Sequence, residues 1–126
     1  MARWIVMCAA ALLVAAPATA HENHDHASPQ HGGRIVTSGP YDLEVVTRDE
    51  VIEVHVTGED EKPVDATGTT GSATILSGGM TTRVELAAAG GNLLKGTGAF
   101  VAKGAVIVLM LNMPGKDPHQ VRLKLD

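Results

Sequence analysis

The chain has 126 residues, with ten Lys and Arg against fourteen Asp and Glu, and a formal net charge of −4 at pH 7. This length is typical of one domain. The excess of acids argues against nucleic acids and anionic membranes as partners, because both select basic surfaces. Only one cysteine is present, Cys8, so the sequence excludes an intramolecular disulfide and a site built from several thiolates.

Residues 1–20 have the pattern of a secretory signal peptide. One positive charge, Arg3, precedes an apolar run over residues 4–16, and the stretch ends in Ala-Thr-Ala, a pattern that signal peptidase cleaves. The apolar run is too short to span a bilayer. We therefore predict export to the periplasm and cleavage after Ala20, which leaves a chain without cysteine that begins at His21.

The stretch that follows is rich in histidine. Residues 21–31 read HENHDHASPQH and contain four of the six histidines together with two acids. We predict that residues 21–33, called here the histidine-rich segment, form a disordered tail that binds metal in front of a domain over residues 34–126. Several neighbouring imidazoles act as one chelator for divalent transition metals. The candidate ligands in the segment are His21, His24, His26, His31, Glu22 and Asp25.

The ligand types in this segment favour particular metals. Imidazole nitrogens and carboxylate oxygens bind Cu(II) most tightly, and Zn(II), Ni(II) and Co(II) are the alternatives. After cleavage His21 also offers its α-amine, an arrangement that favours Cu(II). Soft thioether ligands, which would favour Cu(I), are absent from the segment because Met80, Met110 and Met113 lie in the domain.

Residues 34–126 alternate between short apolar runs and turn residues. For example, Leu43 and Val45 flank Glu44, and this period of two is typical of strands with one face on a core. Residues 105–111 are apolar at nearly every position, which predicts a central strand. The pattern predicts eight strands, over residues 34–37, 41–47, 51–57, 72–76, 81–87, 92–95, 105–111 and 120–125.

No part of the predicted domain shows a sustained helical period. Seven or eight short antiparallel strands with frequent turn signals favour an all-β fold, an immunoglobulin-like β-sandwich. The Gly-Gly pairs at residues 78–79 and 90–91 suit tight hairpin turns, since such turns need positive φ angles.

Two further histidines lie in the predicted domain. His55 is placed beside Glu53 on the outward face of a strand, so we predict an ordinary surface residue. His119 follows Asp117 in the loop before the last strand, and this Asp-x-His pattern offers a carboxylate and an imidazole. With His21 they would form a three-part Cu(II) site. Twelve residues of tail reach about 40 Å, more than the radius of ~13 Å of such a domain.

The combination of His21, Asp117 and His119 on a small β domain resembles the periplasmic copper-resistance C proteins, and this resemblance implies Cu(II) binding. Five further segments carry a more extensive resemblance. They are residues 31–33 (HGG), 41–46 (YDLEVV), 63–66 (PVDA), 74–79 (TILSGG) and 90–96 (GGNLLKG). These segments are similar to the small periplasmic domain found alone or attached to adaptor subunits of heavy-metal efflux systems. The resemblance implies a role in metal resistance or homeostasis, with an efflux adaptor or another periplasmic metal carrier as partner.

The sequence offers no catalytic constellation. The serines after the signal peptide have no neighbouring histidine pattern, and no Gly-rich segment has the form of a phosphate loop. We therefore expect a protein without enzymatic activity. Two functions remain open: a periplasmic metal-binding protein acting in sequestration, delivery or efflux, and an interaction module of an envelope or efflux complex with no specific metal site.

Overall fold

In a computed structural model, residues 28–126 are described and their regular structure is entirely β. The strands are β1 (Arg34–Ser38), β2 (Tyr41–Arg48), β3 (Val51–Gly58), β4 (Thr70–Ser77), β5 (Met80–Ala88), β6 (Leu93–Thr97), β7 (Val106–Asn112) and β8 (His119–Lys124). Each of the eight predicted strands is confirmed, and each begins and ends within two residues of its predicted bounds. The predicted signal peptide and residues 21–27 lie outside the described part of the chain.

All eight strands form one antiparallel sheet with the order β1-β2-β3-β6-β5-β4-β7-β8. The sheet is nearly closed, so that the outermost strands β1 and β8 approach each other. The predicted all-β antiparallel class is therefore confirmed, with a single curled sheet enclosing the core. The prediction that residues 105–111 form a central strand is wrong, because β7 is next to β8, the last strand in the order of the sheet. Its apolar residues are still buried, since the nearly closed sheet surrounds the core on all sides.

The core consists of aliphatic side chains from alternate positions of the strands. Leu43, Ile52, Leu94 and Ile107 are among the fully buried residues, and Phe100 is the only buried aromatic side chain in the described chain. Burying each large side chain stabilises the fold by about 1.5–3 kcal/mol. Because the inner positions of β2 and β3 are apolar, the intervening residues of these strands point to the outer face.

Two-residue turns fix the register of the hairpins. Gly78 and Gly79 have φ angles of 58° and 76°, and they join β4 to β5 where Ser77 pairs with Met80. Asp49 and Glu50 join β2 to β3 in the same way. Within residues 28–126 no helix is long and apolar enough to cross a membrane.

Candidate metal centre on the outer face of β2 and β3

The site begins with a pair of polar residues on neighbouring strands. The turn at Asp49 and Glu50 sets the register of β2 against β3, and this register places Glu44 opposite His55. Both residues alternate with core positions and lie on the outer face of the sheet. Glu44 is nevertheless only 4% exposed. An outward carboxylate can be buried in this way only if something covers the sheet.

Residues 28–33, at the end of the histidine-rich segment, cover Glu44. The backbone N–H groups of Gln30, His31 and Gly33 donate hydrogen bonds to the Glu44 carboxylate at 2.9, 2.7 and 2.9 Å. Hydrogen bonds to an ionised acceptor are stronger than those between neutral groups. Residues 28–33, predicted to belong to a disordered tail, are therefore fixed to the sheet, and the physical reason is this carboxylate.

Two glycines allow the backbone to lie this close to β2. Gly32 has a φ of 75°, in the left-handed region that glycine adopts without strain. A Cβ atom at Gly33 would lie 2.5 Å from the Val45 carbonyl oxygen and 2.8 Å from Val46 Cγ2. A side chain at this position would lift the segment away from the sheet.

The environment of Glu44 keeps its carboxylate ionised. Burial alone would raise the pKa, but the hydrogen bonds from the Gly33 N–H, the His31 ring and the N–H groups of Gln30 and His31 outweigh it. Together they lower the pKa of Glu44 to about 2. The charge that holds the segment is thus present throughout the neutral and mildly acidic range.

Glu44 also orients the His31 ring. His31 Nδ1 lies 3.0 Å from Glu44 Oε1. Since an ionised carboxylate can only accept, Nδ1 carries the hydrogen, and Nε2 of the neutral ring keeps its free lone pair. The His31 side chain is 49% exposed, and its ring stacks on that of His55 with centroids 3.7 Å apart and planes 4° from parallel.

His55 is not the surface residue that the sequence predicted. Its side chain is 11% exposed, because it lies beneath the His31 ring. Burial lowers the pKa of His55 and the neighbouring His31 lowers it further, against the opposing charges of Glu44 and Glu53. The lowered pKa favours the neutral ring, which is the form that ligates metals.

These residues border an open cleft of about 350 Å³. Its walls include His31, Glu44 and His55, and also Ser28, the first described residue, and Glu61. The cleft therefore lies where the histidine-rich segment meets the sheet.

The predicted ligands fall into three groups. His21, Glu22, His24, Asp25 and His26 all lie outside the described residues. His31 lies over β2 and β3, as described above. Asp117 is exposed in the loop between β7 and β8, and within residues 28–126 it belongs to no group of three or more potential ligands.

His119 lies in different surroundings from His31. Its Nδ1 is 3.3 Å from Ser38 Oγ, and its ring meets that of Tyr41 edge-on with centroids 5.3 Å apart. No local pattern in the sequence indicates that Ser38 and His119 meet, because their contact joins β1 to β8 across the seam of the sheet. His31 meets Glu44 and His55, whereas His119 meets Ser38 and Tyr41. Within residues 28–126 no group of three or more His, Cys, Asp or Glu side chains is arranged to hold a metal ion.

Sequence reasoning missed Glu44 and Glu53 as parts of the site and took His55 for an ordinary surface residue. The sequence contains one signal for the pairing of Glu44 with His55. A two-residue turn at Asp49 and Glu50 pairs Arg48 with Val51, and the same register places Glu44 opposite His55. The approach of His31 had no such signal, because it depends on a contact between residues far apart in the chain.

Comparison of the chain with protein-family models, with curated proteins and with solved structures finds no match.

Proposed function

We propose that this chain is a periplasmic protein that binds a divalent transition metal ion through its histidine-rich segment. Cu(II) is the favoured ion, with Zn(II), Ni(II) and Co(II) as alternatives. The binding serves metal sequestration, delivery or efflux, without catalysis. A heavy-metal efflux adaptor or another periplasmic metal carrier is the proposed partner, and cleavage after Ala20 is the proposed route to the mature protein.

The observation that carries this proposal is the contact between Glu44 and His31. Metal-ligating histidines in proteins usually donate their second ring N–H to a carboxylate or a carbonyl, which fixes the tautomer and the ring orientation. His31 has this arrangement through Nδ1, and its Nε2 is left free to ligate. One of the four imidazoles of the segment is thus already oriented as a ligand.

The anchoring of residues 30–33 supports the same function. An unanchored tail must be ordered when it binds an ion, and that ordering reduces its affinity. Here one end of the segment is fixed by three backbone hydrogen bonds. His26 precedes His31 by five residues, so its Cα lies within about 18 Å of that anchored position.

Asp117 and His119 provide a second candidate docking point for the metal-loaded segment. His119 uses Nδ1 toward Ser38. In the neutral ring either nitrogen can carry the hydrogen, so the other is available to a metal. The substitution His119→Asn tests this point separately from the segment.

The test is a metal titration of the mature protein with Cu(II), Zn(II) and Ni(II), with stoichiometry measured by mass and Cu(II) followed by its absorption. We expect binding that is much tighter than that of free histidine and that weakens below about pH 6, as imidazole becomes protonated. A variant with His21, His24, His26 and His31 all replaced by Asn keeps the chain length and should lose this binding.

Two outcomes would contradict the proposal. Unchanged affinity in the fourfold variant would show that the segment does not bind the ion. Affinity no greater than that of free histidine for all three ions would instead favour the interaction module.

A further inference from the structure

One buried polar atom distinguishes the outer face of β2 and β3. Within residues 28–126, His55 Nε2 is the only buried side-chain nitrogen or oxygen without a hydrogen-bond partner. Leaving such an atom unpaired is unfavourable, because it loses its hydrogen bonds to water and gains none within the protein. An atom of this kind calls for an explanation, and an ion that is bound there would be one.

A carboxylate oxygen faces this nitrogen. Glu53 lies two residues before His55 on the same face of β3, and its Oε1 accepts a hydrogen bond from Arg48 at 2.9 Å. The other oxygen, Oε2, lies 3.7 Å from His55 Nε2. Arg48 therefore holds one carboxylate oxygen and leaves the second beside the unpaired imidazole nitrogen.

The distance of 3.7 Å distinguishes between two kinds of contact. A charged hydrogen bond between imidazolium and carboxylate would be about 2.7–2.9 Å long, so these atoms are too far apart for one. Two ligands of one tetrahedral ion such as Zn(II), each about 2.1 Å from the metal, are about 3.4 Å apart, whereas adjacent ligands of a tetragonal Cu(II) ion are about 2.9 Å apart. The observed separation is closest to the spacing of two ligands of a tetrahedral ion.

From this geometry we infer that His55 Nε2 and Glu53 Oε2 are ligands that the sheet contributes to the divalent metal ion bound by the histidine-rich segment. The inference rests on the proposed function and deepens it, since it assigns the domain's share of the site. Two ligands do not make a complete set, and His31 of the segment, whose ring covers His55, is the next candidate. Ser28 and His55 both line the cleft described above.

Ligation of one ion by both His31 and His55 requires a change in the arrangement of their rings. Lone pairs of ring nitrogens lie in the plane of the ring, so two parallel rings 3.7 Å apart cannot both direct a lone pair at one ion. If His31 and His55 ligate the same ion, one ring must rotate and the stacking must end. Metal binding should therefore change the ring-current shifts of both residues.

The test measures Cu(II) and Zn(II) affinity of the mature protein and of two variants. His55→Phe keeps a ring against His31 and removes the nitrogen, and Glu53→Gln removes the charge while it keeps an acceptor for Arg48. We expect each to weaken binding by at least about tenfold, in line with the loss of supporting groups at other metal sites. The nitrogen signals of Cu(II) in electron paramagnetic resonance should also decrease in His55→Phe.

The matched control is Glu85→Gln. Glu85 is also a strand glutamate paired with an arginine, with Arg83 Nε 2.9 Å from its Oε1, but it has no histidine beside it. This variant should bind metal as the unaltered protein does. Unfolding midpoints establish that the variants are folded. If His55→Phe does not fold, Glu53→Gln still tests the inference.

The outcomes separate this inference from the proposed function. If the fourfold histidine variant loses binding while His55→Phe and Glu53→Gln retain full affinity, the segment binds the ion without the sheet and the inference is overturned. A loss of affinity in His119→Asn combined with full affinity in His55→Phe would also overturn it, because the ligand would then come from the seam between β1 and β8. Tenfold losses in both His55→Phe and Glu53→Gln, with none in Glu85→Gln, support it.

Discussion

Two regions of the sheet contain a histidine, His119 at the seam between β1 and β8 and His55 on the outer face of β2 and β3. They differ in whether a buried ring nitrogen is left without a hydrogen-bond partner. At the seam between β1 and β8, His119 Nδ1 lies near the Ser38 hydroxyl, and Arg34 donates to the Lys124 carbonyl and to Asp126. Under residues 28–33, by contrast, the Glu44 carboxylate has four donors while His55 Nε2 has none. The first region joins two strands of the fold, and the second leaves a buried ring nitrogen without a hydrogen-bond partner.

The difference also concerns exposure. The ion pair at the seam is made by exposed side chains, since Arg34 is 49% and Asp126 95% exposed. Glu44 is almost completely covered. Charged contacts in a covered position contribute more to stability than exposed ones, because water and salt screen the latter. This contrast can be tested by stability measurements without any metal.

The largest expected effect concerns Glu44. Its pKa falls from 4.5 to about 2 on folding, so its contribution to stability is fully present above about pH 4.5 and is lost as the pH falls toward 2. A shift of this size corresponds to up to about 3 kcal/mol. Urea unfolding of Glu44→Gln should show a deficit of this order at pH 7 that disappears near pH 2. A deficit that stays constant with pH would contradict the anchoring role, and Glu85→Gln serves as the exposed control.

A smaller loss is expected when a methyl group is added at Gly33. The Cβ atom of Gly33→Ala would collide with the Val45 carbonyl oxygen, so the segment must move and its hydrogen bonds to Glu44 must lengthen. We expect a loss of about 2 kcal/mol in the free energy of unfolding. In the control Gly58→Ala the nearest atom is Asp60 Oδ1 at 3.1 Å, which belongs to a movable side chain. Equal losses in the two variants would show that residues 28–33 do not pack tightly on β2.

The smallest effect is expected at the seam. Arg34→Gln removes an exposed ion pair with Asp126, and the free energy of unfolding should fall by less than about 1 kcal/mol. Part of that loss should also disappear at high salt, because exposed pairs are screened. A loss as large as that of Glu44→Gln would reverse the comparison between the two regions.

The sequence predicted the strands far better than it predicted the site. Period-two alternation and turn residues are local signals, and they located all eight strands because each strand has one face on the core. The order of the strands is not local, which is why β7 was misplaced. The sequence also fails to predict the site, because the contacts that form it are not local. Glu44 and His55 have the composition of ordinary outward residues, and their burial depends on a segment that Gly32 and Gly33 allow to lie across them.

We propose that the segment and the sheet bind one ion together, and nitrogen-detected NMR of the histidine rings during a Zn(II) titration measures this. The resonances of His55 Nε2 and of the segment imidazoles should change together, and all should reach their end point at one equivalent of Zn(II). If the segment imidazoles saturate while the resonance of His55 Nε2 stays where it was without metal, the sheet does not take part in binding.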